Sequence, residues 1–193
     1  LVLLVLILRT VAIEFRSKRP GRAWRTTWDW FFAVSSLGIT VLLGVALGNV
    51  IQGVPVDDDG NMFIDLGHLL NPYALAVGVT AVLMLSLHGA IFLTLKVDGE
   101  LLERVEALVP RLMAGFFAAM TTLIAWTLLL DNPVSDRYAQ RLWIGVFPAL
   151  ALIAVLTAWR QIRRRSYLSA FGASAAMIGL LMATVAAGLY PVM

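Results

Sequence analysis

No cysteine occurs among the 193 residues, which excludes disulfides, thiolate metal clusters and cysteine nucleophiles and leaves the redox compartment unread. Charge is also scarce. Only 14% of residues are Asp, Glu, Lys or Arg, and there are two histidines, so a catalytic or metal-binding constellation has few members to draw on. No Walker-type or dinucleotide-binding glycine loop is present. One GxxxG occurs, Gly44–Gly48 in "LLGVALGNV", and it reads as a face where another helix comes close. Gly115–Ala119, Gly172–Ala176 and Ala183–Ala187 repeat the small-xxx-small spacing and read as further packing seams.

What is present is apolar. Hydrophobic residues make up 60% of the chain and the mean hydropathy is +0.86, well above the roughly 45–50% apolar content of a soluble domain. They gather into six runs: Leu1–Ile13, Trp30–Val50, Pro72–Leu95, Leu112–Leu130, Leu142–Trp159 and Tyr167–Val192. A helix needs about 20 residues to cross about 30 Å of hydrocarbon, and lipid offers unpaired backbone groups no partner. The sequence therefore predicts an all-α, polytopic transmembrane bundle of about six helices, a single transmembrane domain over 1–193. The first run is too short to span, so that helix is expected to be truncated, and the close "LYPVM" suggests the same at the far end.

The polar breaks alternate in charge. Arg16, Lys18, Arg19, Arg22 and Arg25 fill the first, Lys96, Arg104 and Arg111 the third, and Arg160, Arg163, Arg164 and Arg165 the fifth, whereas the second has no Lys or Arg and the fourth only Arg137 and Arg141. Short Lys/Arg-rich loops stay in the cytoplasm, which predicts that 14–28, 96–111 and 160–166 are cytoplasmic. The net charge of +3 then reports topology, and nucleic acid is not implied. Trp24, Trp28 and Trp30 fall where an indole suits the headgroup boundary. Asp29 is expected at a helix N-terminus, within reach of Arg22 or Arg25.

Three further stretches invite chemistry. "DDDGNMFID", Asp57–Asp65, resembles a calcium loop, but counting from Asp57 puts Gly60 fourth and His68 twelfth, whereas an EF-hand needs Gly sixth and Glu twelfth. An outside turn is the better reading. Arg9 lies about 7 Å of helix rise from Glu14 and can snorkel towards it. His88, about 12 Å of rise before Lys96, lies inside the apolar layer, where it could ligate a haem, relay protons or hydrogen-bond a neighbouring helix. His68 falls at the opposite face, so the chain supplies no bis-histidine pair. Asn49, Gln52 and Asn71 sit at outer helix ends, and Asn71 before Pro72 predicts a helix start.

Taken in order, "RTVAIEFRSK…WRTTWDW", "GVALGNVIQGVPV", "LLNPYALAVG" and "HGAIFLTLKVDGEL" resemble signatures of subunit II of cytochrome bd ubiquinol oxidase, including its cyanide-insensitive branch. The likeness runs from about Arg9 to Glu100 and continues beyond as a pattern of helices, with "FPAL" and "AAGLYPVM" fitting. It implies an internal piece of a nine-helix subunit lacking the first two helices and the last, with 14–28 as the link between helices 3 and 4. It implies a bacterial inner-membrane heterodimer with subunit I, which carries haem b and haem d, and it leaves room for a small accessory subunit. Quinol is oxidised and O₂ reduced in that complex. Subunit II carries no haem ligands in the well-known members and serves assembly and stability, part of a proton path and the binding of a structural ubiquinone. No catalytic, cofactor-binding or metal residue is expected here. Arg9, Glu14, Asp29, Asn49, Gln52, Asn71 and His88 are carried forward as buried polar or structural candidates. The alternative class is a multi-pass secondary transporter, which would show paired helices broken by Gly or Pro near mid-membrane; Pro148 is the one clearly interior proline and has no counterpart.

Overall fold

The computed structural model describes residues 1–53, 66–129 and 145–189. Seven helices occupy them: α1 (Val2–Arg16), α2 (Arg22–Gln52), α3 (Leu66–Leu69), α4 (Pro72–Leu93), α5 (Gly99–Leu129), α6 (Val146–Arg163) and α7 (Tyr167–Leu189). No strand occurs among the described residues. Five helices, α2 and α4–α7, are long and apolar enough to cross a membrane, as the hydrophobic runs predict. The remaining run, Leu1–Ile13, forms α1, whose 15 residues rise about 22 Å, short of a span. The Asp57–Asp65 turn and Arg137 and Arg141 lie outside the described residues.

Two helices start well before their apolar runs. Helix α2 begins at Arg22 and not at Trp30, and α5 begins at Gly99 and not at Leu112. Each has 31 residues and rises about 46 Å, so about 10 residues stand outside a 30 Å hydrocarbon layer. In α5 the extension is amphipathic. Val105 and Val109 are buried, and Arg104 Nη2 reaches Glu100 Oε1 at 2.6 Å on the solvent face. Gly99 opens the helix with φ +63°, a left-handed geometry that only glycine adopts without cost. Pro110 lies inside α5 and donates no hydrogen bond to the carbonyl of Glu106.

The chain divides into two compact units. In the first, residues 1–48 and 66–82, α2 and α4 approach so closely that side chains are excluded between them. A Cβ at Gly44 would stand 2.6 Å from Gly78 Cα, and one at Gly48 would stand 2.7 Å from Ala74 Cα. The seam is therefore reciprocal, Gly44 and Gly48 facing Ala74 and Gly78, and van der Waals contact between backbones holds it.

The second unit contains 83–129 and 145–189. Its core takes Leu87 and Ile91 from α4, then Val105, Val109, Met113, Phe116 and Met120 from α5, a stripe at three- and four-residue spacing. Val155, Ala158 and Ile162 of α6 and Ala170 and Met177 of α7 complete it. Helices α6 and α7 form an antiparallel hairpin, and Arg165, in the link at φ 56°, turns the chain. Of the other small-residue pairs, a Cβ at Gly115 would stand 3.6 Å from Leu83 Cδ2, an ordinary contact, but a Cβ at Gly172 would meet nothing within 4 Å, and Gly172 and Ala176 are exposed. The Gly172–Ala176 expectation is thus corrected: α7 packs through Ala170, Ser174 and Met177, and Gly172 and Ala176 lie on another face of the helix.

Candidate functional site

Helix spacing brings three polar clusters together. In the second unit, His88 of α4 meets α7. His88 Nδ1 lies 2.8 Å from Ser174 Oγ, and the ring stacks on Phe171 with centroids 5.0 Å apart at 27°. Ser174, 1% exposed, donates its single hydroxyl hydrogen to the Phe171 carbonyl at 2.8 Å. The oxygen then accepts from His88, which assigns the proton of the neutral ring to Nδ1 and leaves the lone pair on Nε2. Of the three roles open to His88 in the sequence, the contact shown is the hydrogen bond to a neighbouring helix.

A second cluster joins α5 to the start of α7. The Tyr167 hydroxyl donates to Glu106 Oε1, and Arg165 Nη2 stands 4.0 Å from Glu106 Oε2. Glu106 is the one acidic residue among those described that is not exposed. Sequence reading missed it by placing 96–111 in a loop. The signal was available: in "ELLERVEALV", Glu106 adjoins the 102, 105, 109 apolar stripe once the segment is helical.

The third cluster closes the corner between α1 and α2. Asp29 is the eighth residue of α2 and not its N-terminus, and Arg16 is its partner, with Nε 2.5 Å from Oδ1. Arg22 and Arg25 precede it on its own helix, whereas Pro20 and Gly21 turn the chain so that the end of α1 faces it. Trp24 donates its indole N–H to the Phe15 carbonyl at 2.8 Å, and Arg19 lies 4.9 Å from the Trp24 ring centroid. Trp28 packs against Phe15, Trp24 and Phe31 with centroids 5.2, 5.5 and 5.5 Å away, and its buried N–H has no hydrogen-bond partner. Lys18 Nζ sits 2.8 Å from Glu14 Oε1, and this hydrogen bond, then its charge, holds the Glu14 carboxyl below its ordinary range.

The remaining candidates are dispersed. Arg9 is exposed, its guanidinium 5.3 Å from the Phe32 ring centroid. Asn49 and Gln52 are half-buried in the last turn of α2. Asn71 caps α4, its Oδ1 accepting the Ala74 N–H at 2.8 Å while Nδ2 donates to the His68 carbonyl at 3.0 Å. None of the seven candidates is fully buried within the chain, and Arg9, Glu14 and Asp29 are exposed on it. No three His, Cys, Asp or Glu side chains gather to hold a metal ion among the described residues.

Five membrane-length helices with packing seams and polar bridges between helices define a polytopic α-helical membrane protein. The chain belongs to the cytochrome bd terminal oxidase subunit II family, whose model matches residues 1–193. It is 30% identical over 192 residues to cytochrome bd ubiquinol oxidase subunit 2 of Bacillus subtilis, covering 99% of this chain and 56% of the relative. It is 37% identical over 136 residues to cytochrome bd-I ubiquinol oxidase subunit 2 of Escherichia coli, covering 66% of this chain and 33% of that protein. A probable cytochrome oxidase subunit 2 of Haemophilus influenzae is 30% identical over an alignment of 228 residues, gaps included, that covers 99% of this chain and 58% of the relative. The chain thus spans between a third and three-fifths of the relatives it matches.

Proposed function

We propose that this chain acts as the haem-free subunit II of a cytochrome bd-type quinol:O₂ oxidoreductase in the bacterial inner membrane, in a heterodimer with a haem-carrying subunit I. The observation that carries the reading is the family match over all 193 residues. Electron transfer and oxygen reduction belong to haem b and haem d of the partner, and the residues here serve its assembly and stability.

The topology proposed with this role puts 14–28, 96–111 and 160–166 in the cytoplasm, and the charge asymmetry of the breaks supports it. Proton supply and the binding of a structural ubiquinone are further parts of the proposed role, assigned to no residue here. A small accessory subunit is compatible with it.

The test is purification of the full-length parent from detergent-solubilised membranes, followed by a dithionite-reduced minus oxidised spectrum. Haem b and haem d bands that travel with a larger co-purifying subunit support the proposal. A colourless preparation without a partner overturns it and brings transport to the front.

A further inference from the structure

The last turn of α6 and its link to α7 carry four arginines, Arg160 and Arg163 in the helix and Arg164 and Arg165 after it, and their environments differ. Arg165 turns towards the second unit's acid, Glu106, at 4.0 Å. Arg160, Arg163 and Arg164 have no acidic partner among the described residues. Together with Leu156 and Trp159 they line a shallow groove of about 430 Å³ on the last two turns of α6. The Arg163 guanidinium lies 5.8 Å from the centroid of the Trp159 ring, so the indole holds one cation at the mouth of the groove.

The other end of the groove is oily. Leu156 is 55% exposed and Trp159 42%. Below them Val146, Leu150 and Ile153 are also exposed, a track at helical spacing that runs about 15 Å from residue 146 to residue 156. Loop topology explains arginines on this side of the membrane. It does not explain three guanidinium groups without an acidic partner among the described residues at the head of a groove that meets, at Leu156, an exposed aliphatic track on the same helix.

We infer that this groove is a binding site for an anionic glycerophospholipid, with the phosphodiester on Arg160, Arg163 and Arg164 and an acyl chain along Leu156, Ile153 and Leu150. Guanidinium groups match phosphate oxygens in fork geometry and charge. The indole sits between the two regimes, as it does at membrane boundaries generally. The charge complementarity singles out the occupant: three cations and no acid favour an anionic headgroup over a zwitterionic one. The inference rests on the proposed role only in requiring a membrane chain, and it is indifferent to haem.

Native mass spectrometry of the full-length complex, delipidated in detergent and titrated with dioleoyl-phosphatidylglycerol, dioleoyl-phosphatidylcholine or inorganic phosphate, tests it. Phosphatidylglycerol is expected to bind with clear preference over phosphatidylcholine. Each arginine near an anionic headgroup is expected to contribute about fivefold in affinity, so Arg160→Gln/Arg163→Gln/Arg164→Gln should weaken phosphatidylglycerol binding about 100-fold. The corresponding triple lysine variant should keep the preference while binding more weakly. The wild-type comparison of the two lipids stands even if the glutamine variant does not assemble. Equal binding of both lipids overturns the inference, as does undiminished binding by the glutamine variant. So does phosphate alone competing at the same concentration as the lipid, which would make this a free-anion site, or crosslinking from position 160 to a partner subunit that covers the groove. Phosphatidylglycerol selectivity in a colourless preparation would overturn the oxidase role and leave the lipid site standing, and haem bands without selectivity would do the reverse.

Discussion

Replacing Gly44 by alanine asks whether the α2–α4 seam is as tight as its geometry states. The added Cβ would stand 2.6 Å from Gly78 Cα and 3.1 Å from its nitrogen, whereas unstrained carbon contacts lie near 3.5–4.0 Å. The obstacle is backbone, so no rotamer change relieves it. The two helices must part by about 1 Å, which loosens the contact around Val45, Ala74 and Val77, all buried. Overpacking of this kind costs about 1–3 kcal/mol, and the better helix propensity of alanine returns up to about 1 kcal/mol. The net expectation is a loss of about 1–2 kcal/mol. Gly48→Ala meets Ala74 Cα at 2.7 Å and should behave alike. The double variant should lose less than the two losses combined, because one parting of the helices relieves both clashes. The assay is the heating midpoint of the full-length parent in detergent, read as the surviving monodisperse peak in size exclusion. Gly172→Ala and Gly179→Ala are the controls, since nothing lies within 4 Å of either added Cβ. The reasoning is refuted if Gly44→Ala melts no lower than wild type or no lower than Gly172→Ala.

Ser174→Ala removes the acceptor of the His88 Nδ1 proton and should destabilise the second unit by about 1 kcal/mol, the low end for a partly buried donor left unpaired. His88→Phe/Ser174→Ala should melt higher than Ser174→Ala alone, because both polar partners are then gone and a ring still stacks on Phe171; a lower midpoint would count against the assigned hydrogen bond. His88→Ala should disturb the complex mildly, and a normally assembled variant lacking all haem d absorbance would contradict a purely structural role. Asn71→Ala removes the α4 cap and should cost about 1 kcal/mol, measured by the same heating assay, with no change if the cap is immaterial. Ser17→Cys and Ser166→Cys should react with an impermeant maleimide only from the cytoplasmic side and Gly53→Cys only from the outside, in a parent stripped of any cysteine that lies outside these cysteine-free 193 residues; the opposite pattern inverts the proposed topology.

Helix existence was legible because hydrocarbon thickness is a physical ruler that the apolar runs must match. Helix starts were not, because hydrogen bonding does not stop where hydrophobicity does. At Arg22 and Gly99 the helices begin in polar sequence, and at the second of these Glu100 pairs with Arg104 one turn on. The Asn71–Pro72 pair marked the start of α4 because capping is local chemistry. Partners distant in sequence were beyond reach: Ser174 lies 86 positions after His88, and nothing near either residue announces the other. Asp29 found Arg16 across the Pro20–Gly21 corner for the same reason. The Gly44–Gly48 spacing pointed to a close approach, but identical spacing at Gly172–Ala176 did not produce one, so the motif signals capacity for contact and leaves the choice of face to the fold.

Pro110 gives α5 a depth mark. Because it leaves the Glu106 carbonyl without its usual donor, that oxygen needs water, a headgroup or another protein group as its partner, since hydrocarbon can supply none. An unfilled acceptor is costly in hydrocarbon and cheap in water, so α5 is best accommodated with the level of Glu106 outside the oily layer, independently of any count of charges. The same placement leaves the Glu106 carboxylate and its Tyr167 donor within reach of water, while the apolar run from Leu112 onwards is the part of α5 that suits the membrane.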